Sequence, residues 1–181
     1  MGCEKVQMLV EQLATAWNDR DLDSFTTCLS EDVIWDDPAM VAPAVGREAV
    51  RAFSESVLRA FPDFHYAIRH PVCAAVDGSR CAVPWTITAT SLGPLEPPGF
   101  GPTGKRVRFH GVDVLELEGE KVKRIDTFFD VLRPAEQLLA VQLRPSPGSW
   151  RQHILVWTQR VRAAWLRGTG GDDHESQESA V

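Results

Sequence analysis

The hydrophobic period of this 181-residue chain changes at Pro62, and that change constrains the fold more than any other feature. Before it, apolar residues recur every three or four positions. Val6, Leu9, Val10, Leu13, Ala16 and Trp17 make one helical stripe from Glu4 to Trp17; Val50, Phe53, Val57 and Ala60 make another from Gly46 to Ala60. Asn18-Asp19-Arg20 interrupts the first helix, and Asp21 can cap a short second one through Cys28. Val33-Ile34-Trp35 reads as a short strand closed by Asp36-Asp37-Pro38, because proline cannot donate to a ladder. After Pro62 the period is two. Phe64, Tyr66 and Ile68 alternate with polar or small neighbours, as do Cys81, Val83, Trp85 and Ile87. A long strand from Lys105 to Glu118, a tight turn at Gly119-Glu120 and a last strand from Val122 to Leu132 complete the series. Helices followed by a run of antiparallel strands predict an α+β domain, a curved sheet folded over its own helices.

Residues 134–143 read as a short helix or edge segment that finishes this domain, placed at 1–143. Residues 144–149 read as a linker, 150–167 as an amphipathic Trp-rich helix, and 168–181 as a disordered Gly/Asp/Glu/Ser tail. On the helix, Trp150, Ile154, Trp157, Val161 and Ala164 form one stripe, which predicts docking on its own domain or on a second copy; a homodimer is expected. The Pro/Gly-rich segment Gly93 to Gly104, with Phe100 its one aromatic residue, predicts a mobile rim or lid.

The net charge of −6 argues against a general nucleic-acid grip. No apolar run reaches the ~18 residues of a membrane span, and the first residues carry no signal-peptide core, so a cytoplasmic protein without a membrane partner is expected. The four cysteines form no CxxC pair and are expected reduced and mostly buried; the five histidines are scattered, so neither metal nor cofactor is expected. The GxxxxGK[ST] phosphate loop and the GxSxG elbow are missing.

Three ordered stretches, WNDRDLDSF, SEDVIWDDPA and GREAVRAF, resemble the helical half of the nuclear-transport-factor-two-like superfamily. AFPDF, GPTGKRVRFHGVDVLELEGEKVKRIDTFFD and QLLAVQL resemble its SnoaL-like polyketide cyclase branch. The resemblance covers roughly residues 5–143 and implies a cone-shaped α+β barrel, a bent sheet wrapped around N-terminal helices with a deep apolar pocket. Such cones host cyclases, isomerases, epoxide hydrolases, dehydratases and pockets with no chemistry, so the residues must decide.

Asp113 is the sharpest of them. On the long strand the odd positions Val107, Phe109, Leu115 and Leu117 are apolar, the even ones carry Arg106, Arg108, His110 and Glu116, and Asp113 stands in the apolar row. A carboxyl there must be hydrogen-bonded, paired or protonated, and a raised pKa would make it a proton donor; a core aspartate satisfied by backbone or by an arginine is the alternative. Asp37 ends the first strand on the parity of Trp35. The resemblance places it like the general base of ketosteroid isomerases and Asp113 like their protonated second acid, a pair that is itself a standard example of carboxyl pKa values pushed apart. A plain Asx turn is the other reading of Asp36-Asp37-Pro38. The two isomerase tyrosines correspond to Leu13 and Ser54, and the histidine and aspartate of many SnoaL-like cyclases correspond to the region of Ile125 and Thr127.

A two-residue turn at Gly119-Glu120 would put Asp126 on the face of Asp113; a three-residue turn would put Ile125, Thr127 and Phe129 there. Charges at 124, 126 and 130 favour the second. Trp17, Trp35, Phe53, Phe61, Tyr66, Trp85, Phe109, Thr127 and Phe129 are then candidates to contact substrate. The expected function is a cofactor-free cyclase or isomerase of natural-product biosynthesis. Asp37 would be the base and Asp113 the acid on an apolar, oxygenated substrate, through epoxide opening with ring closure or an aldol or dehydration step. A non-catalytic binding module, signalled by an arginine paired with Asp113, is the alternative.

Overall fold

The structure, a computed structural model, describes residues 3–96, 99–139 and 145–169. The chain forms two compact units, Met1–Val141 and Gln142–Val181. The first contains α1 (Cys3–Asn18), α2 (Leu22–Thr27), β1 (Leu29–Asp36), β2 (Ala44–Val45), α3 (Arg47–Ala60), β3 (His65–Ile68), β4 (Cys73–Ala74), β5 (Arg80–Thr90), β6 (Arg106–Glu118), β7 (Lys121–Phe129) and α4 (Leu132–Leu139). The second contains α5 (Trp150–Thr169).

All six apolar residues of the α1 stripe are buried, as are Val50 and Ala60 of α3. The Asp21 side chain caps α2 by accepting from the Ser24 amide at 3.0 Å. The period-two segments form a curved, unclosed sheet in the order β2-β1-β7-β6-β5-β3, with β4 also on β5. Every pairing is antiparallel except β1 with β7, which is parallel. Cys81, Val83, Trp85, Ile87 and Ala89 bury alternate positions of β5, and Val107 and Leu115 do so on β6, which puts the predicted apolar rows in the core. The result is the α+β architecture that the change of period predicts.

Several boundaries differ from the sequence reading. The first strand begins at Leu29, not Val33. Leu29 and Val33 are both fully buried, and a register irregularity between Leu29 and Ile34 accommodates the polar Ser30-Glu31-Asp32 between them. The last strand stops at Phe129, because the Asp130 carboxylate accepts the Leu132 amide and opens α4 there, with Pro134 in the first turn where its missing N–H does no harm. Helix α5 continues to Thr169, two residues beyond its expected end. Residues 140–144 and the expected tail from 170 onward lie outside the described residues. Of the described cysteines, Cys28 and Cys81 are buried but Cys73 is exposed, since it lies on the short outer strand β4.

The turn between β6 and β7 resolves the parity question by an unexpected route. It has two residues, with Glu118 opposite Lys121 and Gly119 at φ 62°. A bulge follows: Leu117 pairs with Val122, but Glu116 pairs with Arg124, leaving Lys123 as the extra residue. That one residue returns Ile125, Thr127 and Phe129 to the face of Asp113 and turns Asp126 outward, where Arg124 binds it at 2.8 Å.

Candidate active site

Inside the first unit lies a cavity of ≈ 520 Å³. All the residues singled out from the sequence line it: Asp37, Asp113, Trp17, Trp35, Phe53, Phe61, Tyr66, Trp85, Phe109, Thr127 and Phe129. Their rings interlock, edge-on in every pair below except the tilted Phe109 and Phe129. Trp17 lies 5.7 Å from Trp35 and 5.6 Å from Phe64, Trp35 lies 5.2 Å from Phe53, and Phe109 lies 5.6 Å from Trp85 and 5.2 Å from Phe129. Such contacts favour rigid aromatic walls over a wall that collapses into the void. Gly111 makes room for them, because a Cβ there would stand 2.4 Å from the Trp85 ring and 2.5 Å from the Phe128 carbonyl.

Asp113 occupies the middle of β6, between Val83 of β5 and Thr127 of β7. Its Oδ2 accepts from the Tyr66 phenol at 2.9 Å and its Oδ1 accepts from the Thr127 hydroxyl at 2.9 Å. The indole N–H of Trp35 donates in turn to Thr127 Oγ1 at 3.0 Å. Protein atoms enclose the carboxyl, and this desolvation raises its pKa; the Tyr66 and Thr127 hydroxyls that donate to it oppose the rise without cancelling it. The nearby Trp85 indole acts in the same sense, although its N–H makes no hydrogen bond among the described residues. The arginine that would mark a structural ion pair is not there: no Arg, Lys or His lines the cavity among the described residues.

Asp37 follows directly on β1 and is 9% exposed, whereas Asp36 points outward, 3.9 Å from the Arg124 guanidinium. The Asx-turn reading is half right. Asp37 Oδ1 accepts the Ala39 amide at 2.7 Å, which organises the turn, while Oδ2 has no partner among the described residues. Burial pushes its pKa up to about 6; the Ala39 hydrogen bond resists, and the charges of Asp113 and Asp36 add to the rise. Two carboxyls that feel each other's charge in an apolar chamber titrate as a pair, and the more easily ionised one is the base.

The sequence reading missed one wall. Val131, Pro134, Ala135, Leu138 and Leu139 line the cavity at and along α4. The Gln137 side chain clamps that helix to β6, accepting the Arg108 amide at 2.7 Å and donating to the Arg108 carbonyl at 3.2 Å. The pairing of Leu138 with Leu139 was the available signal. The rim segment 93–104 contributes Leu95, Phe100, Gly101 and Thr103, and it is tethered: the Leu92 and Gly93 amides donate to the Ala60 carbonyl, and the Gly104 amide donates to Ser91 O. Its Pro97 and Pro98 lie outside the described residues. His110 is exposed on the polar face of β6.

No curated protein matches the chain. Among solved structures, a candidate polyketide cyclase from Pseudomonas putida KT2440 superposes with TM-score 0.66 at 24% identity, covering 76% of this chain and 98% of its own. SalBIII, described as an epoxide hydrolase/cyclase-like enzyme of pyran ring formation in the polyether salinomycin, gives 0.60 at 24%, covering 72% and 94%. An LEH-like epoxide hydrolase from M. tuberculosis gives 0.57 at 17%, covering 76% and 91%. These likenesses establish the fold. The family model described as "SnoaL-like domain" matches residues 10–125, most of the first unit and both aspartates, and the chain therefore belongs to the SnoaL-like family.

Proposed function

We propose that this protein is a cofactor-free cyclase or isomerase that uses Asp37 as general base and Asp113 as general acid on an uncharged, apolar, oxygenated substrate. The observation that carries the reading is the pairing of two carboxyls, both with raised pKa, in one aromatic cavity whose described lining holds no cation. Without a cation, an anionic substrate would meet only carboxylates and gain no ion pair; a neutral one keeps its apolar surface on the rings. A cavity of ≈ 520 Å³ is of the size that holds a molecule of drug-like dimensions.

The chemistry favoured is opening of an epoxide with closure of an ether ring. Asp37 Oδ2 takes the proton of the attacking hydroxyl, that oxygen forms a bond to the epoxide carbon, the carbon–oxygen bond of the epoxide breaks, and the leaving oxygen receives the proton held at Asp113. One carboxyl ends neutral and the other ionised, so a single proton returned through solvent resets the pair. The same two groups suit proton transfer beside a carbonyl, and the names of the solved neighbours include both polyketide cyclases and epoxide-opening enzymes. A bishomoallylic epoxy alcohol supplies the test: wild-type protein should accelerate its ring closure, and Asp37→Asn should slow it by roughly 10²–10⁴-fold. Unaccelerated closure, with tight binding of the same compound, would favour the binding-module alternative.

A further inference from the structure

The hydrogen-bond directions around Asp113 restrict where its proton can sit. The indole N–H of Trp35 only donates, so Thr127 Oγ1 is an acceptor towards it. The single hydrogen of Thr127 has one acceptor within reach, Asp113 Oδ1. A proton on Oδ1 would displace that hydrogen and strand it in a buried site, since Thr127 is 7% exposed and no other acceptor for it exists among the described residues. Oδ2 carries no such restriction. Its partner is the Tyr66 hydroxyl, which can donate or accept, and Tyr66 lines the cavity.

We propose that Tyr66 is the catalytic relay of the acid: neutral Asp113 carries its proton on Oδ2 and donates it to the Tyr66 oxygen, which turns the phenol hydrogen into the cavity towards the substrate. The proposal rests on the acid–base reading above for its chemistry, but not for its test. In the reaction, the leaving oxygen takes the Tyr66 hydrogen while the Tyr66 oxygen takes the Oδ2 hydrogen of Asp113. No bond to carbon is made by the protein, and the phenol is neutral before and after. Asp113 ends as a carboxylate that accepts from both Tyr66 and Thr127, the arrangement seen in the structure. Trp35 and Thr127 act through Asp113 as positioning residues, because they reserve Oδ1 and leave Oδ2 as the one oxygen that exchanges a proton.

Tyr66 is the only tyrosine in the chain, so a tyrosine-ring ¹³Cζ label reports on it alone. The titratable groups acting on this cluster are Asp113, Asp37 and Cys81; burial and the charge of Asp113 push the Cys81 thiol up to about 11. The test is a pH titration of the ¹³Cζ shift in wild-type, Asp113→Asn, Asp37→Asn and Thr127→Val proteins, without substrate. The expected result is an inflection as the phenol changes from acceptor to donor. It should vanish in Asp113→Asn, move to lower pH in Asp37→Asn, where a repelling charge is gone, and shrink in Thr127→Val, where nothing reserves Oδ1 and the proton is free to sit there. A flat wild-type curve, or an inflection that survives in Asp113→Asn, overturns the relay. Failure of the epoxy alcohol to cyclise would instead overturn the acid–base reading, so the two outcomes are separable.

Discussion

Replacing Asp37 by asparagine should stabilise the protein while disabling it. Asparagine retains the Oδ1 acceptor that holds the Ala39 amide, so the turn after β1 survives. What disappears is a buried charge. The carboxyl has an ordinary pKa of 3.8 and titrates at about 6 in the fold, first because burial strips water from the carboxylate and then because Asp113 and Asp36 repel it. The folded state therefore binds this proton more tightly than the unfolded chain. The stability it contributes is complete below 3.8 and is lost as pH rises through about 6. A pKa difference of about two, at about 1.4 kcal/mol for each, makes the ionised form cost about 3 kcal/mol. At 9% exposure little solvent remains to screen it. Urea unfolding of wild type and variant at about pH 4 and about pH 8 reads this directly. The variant should be more stable by about 3 kcal/mol at the higher pH and nearly equal at the lower; groups not coupled to Asp37 titrate alike in both proteins and cancel in the difference. A variant less stable at both pH values, or a difference independent of pH, would refute the reasoning and make Asp37 a structural turn residue.

Gly111→Ala should destabilise by roughly 1–3 kcal/mol and weaken ligand binding, because a Cβ 2.4 Å from Trp85 and 2.5 Å from a backbone carbonyl forces the ring into the cavity; thermal melts and calorimetry with the epoxy alcohol would read both. Hydrogen exchange should be slow at Leu92, Gly93 and Gly104, whose amides are bonded to Ala60 and Ser91, and faster at Gly101, whose amide has no such bond among the described residues, until a ligand contacts Phe100. Helix α5 leaves Trp150, Ile154 and Trp157 of its apolar stripe each more than 50% exposed, so ending the chain at Arg144 should change the oligomer or the melting temperature if a second copy or the first unit covers that stripe. An unchanged oligomer and melt, with full-length protein sedimenting on anionic vesicles, would point to a membrane surface instead.

Most of the fold was legible because periodicity reports burial, and burial decides which face of each element turns inward. The α1 stripe and the alternation in β5 both read correctly for that reason. Asp113 was legible as a carboxylate out of place in an apolar row, and Asp37 through its shared parity with Trp35. The bulge at Lys123 was not, because a bulge depends on how two strands settle against each other and leaves a charged, exposed-looking residue in the sequence. The hydrogen bond from Trp35 to Thr127 spans 92 positions and connects strands that pair only in the folded sheet. The wall supplied by α4 was hidden by the Asp130 cap, which starts the helix where alternation alone continues a strand.

The pH dependence of kcat/KM for the epoxy alcohol tests the acid–base pairing most directly. A bell-shaped profile is expected. Activity should rise as Asp37 ionises around pH 6 and fall as Asp113 loses its proton above its raised pKa, both limbs belonging to the coupled pair. Asp113→Asn should remove the falling limb and lower turnover by roughly 10²–10⁴-fold. Full turnover in Asp113→Asn, or a wild-type profile with no falling limb, would contradict it.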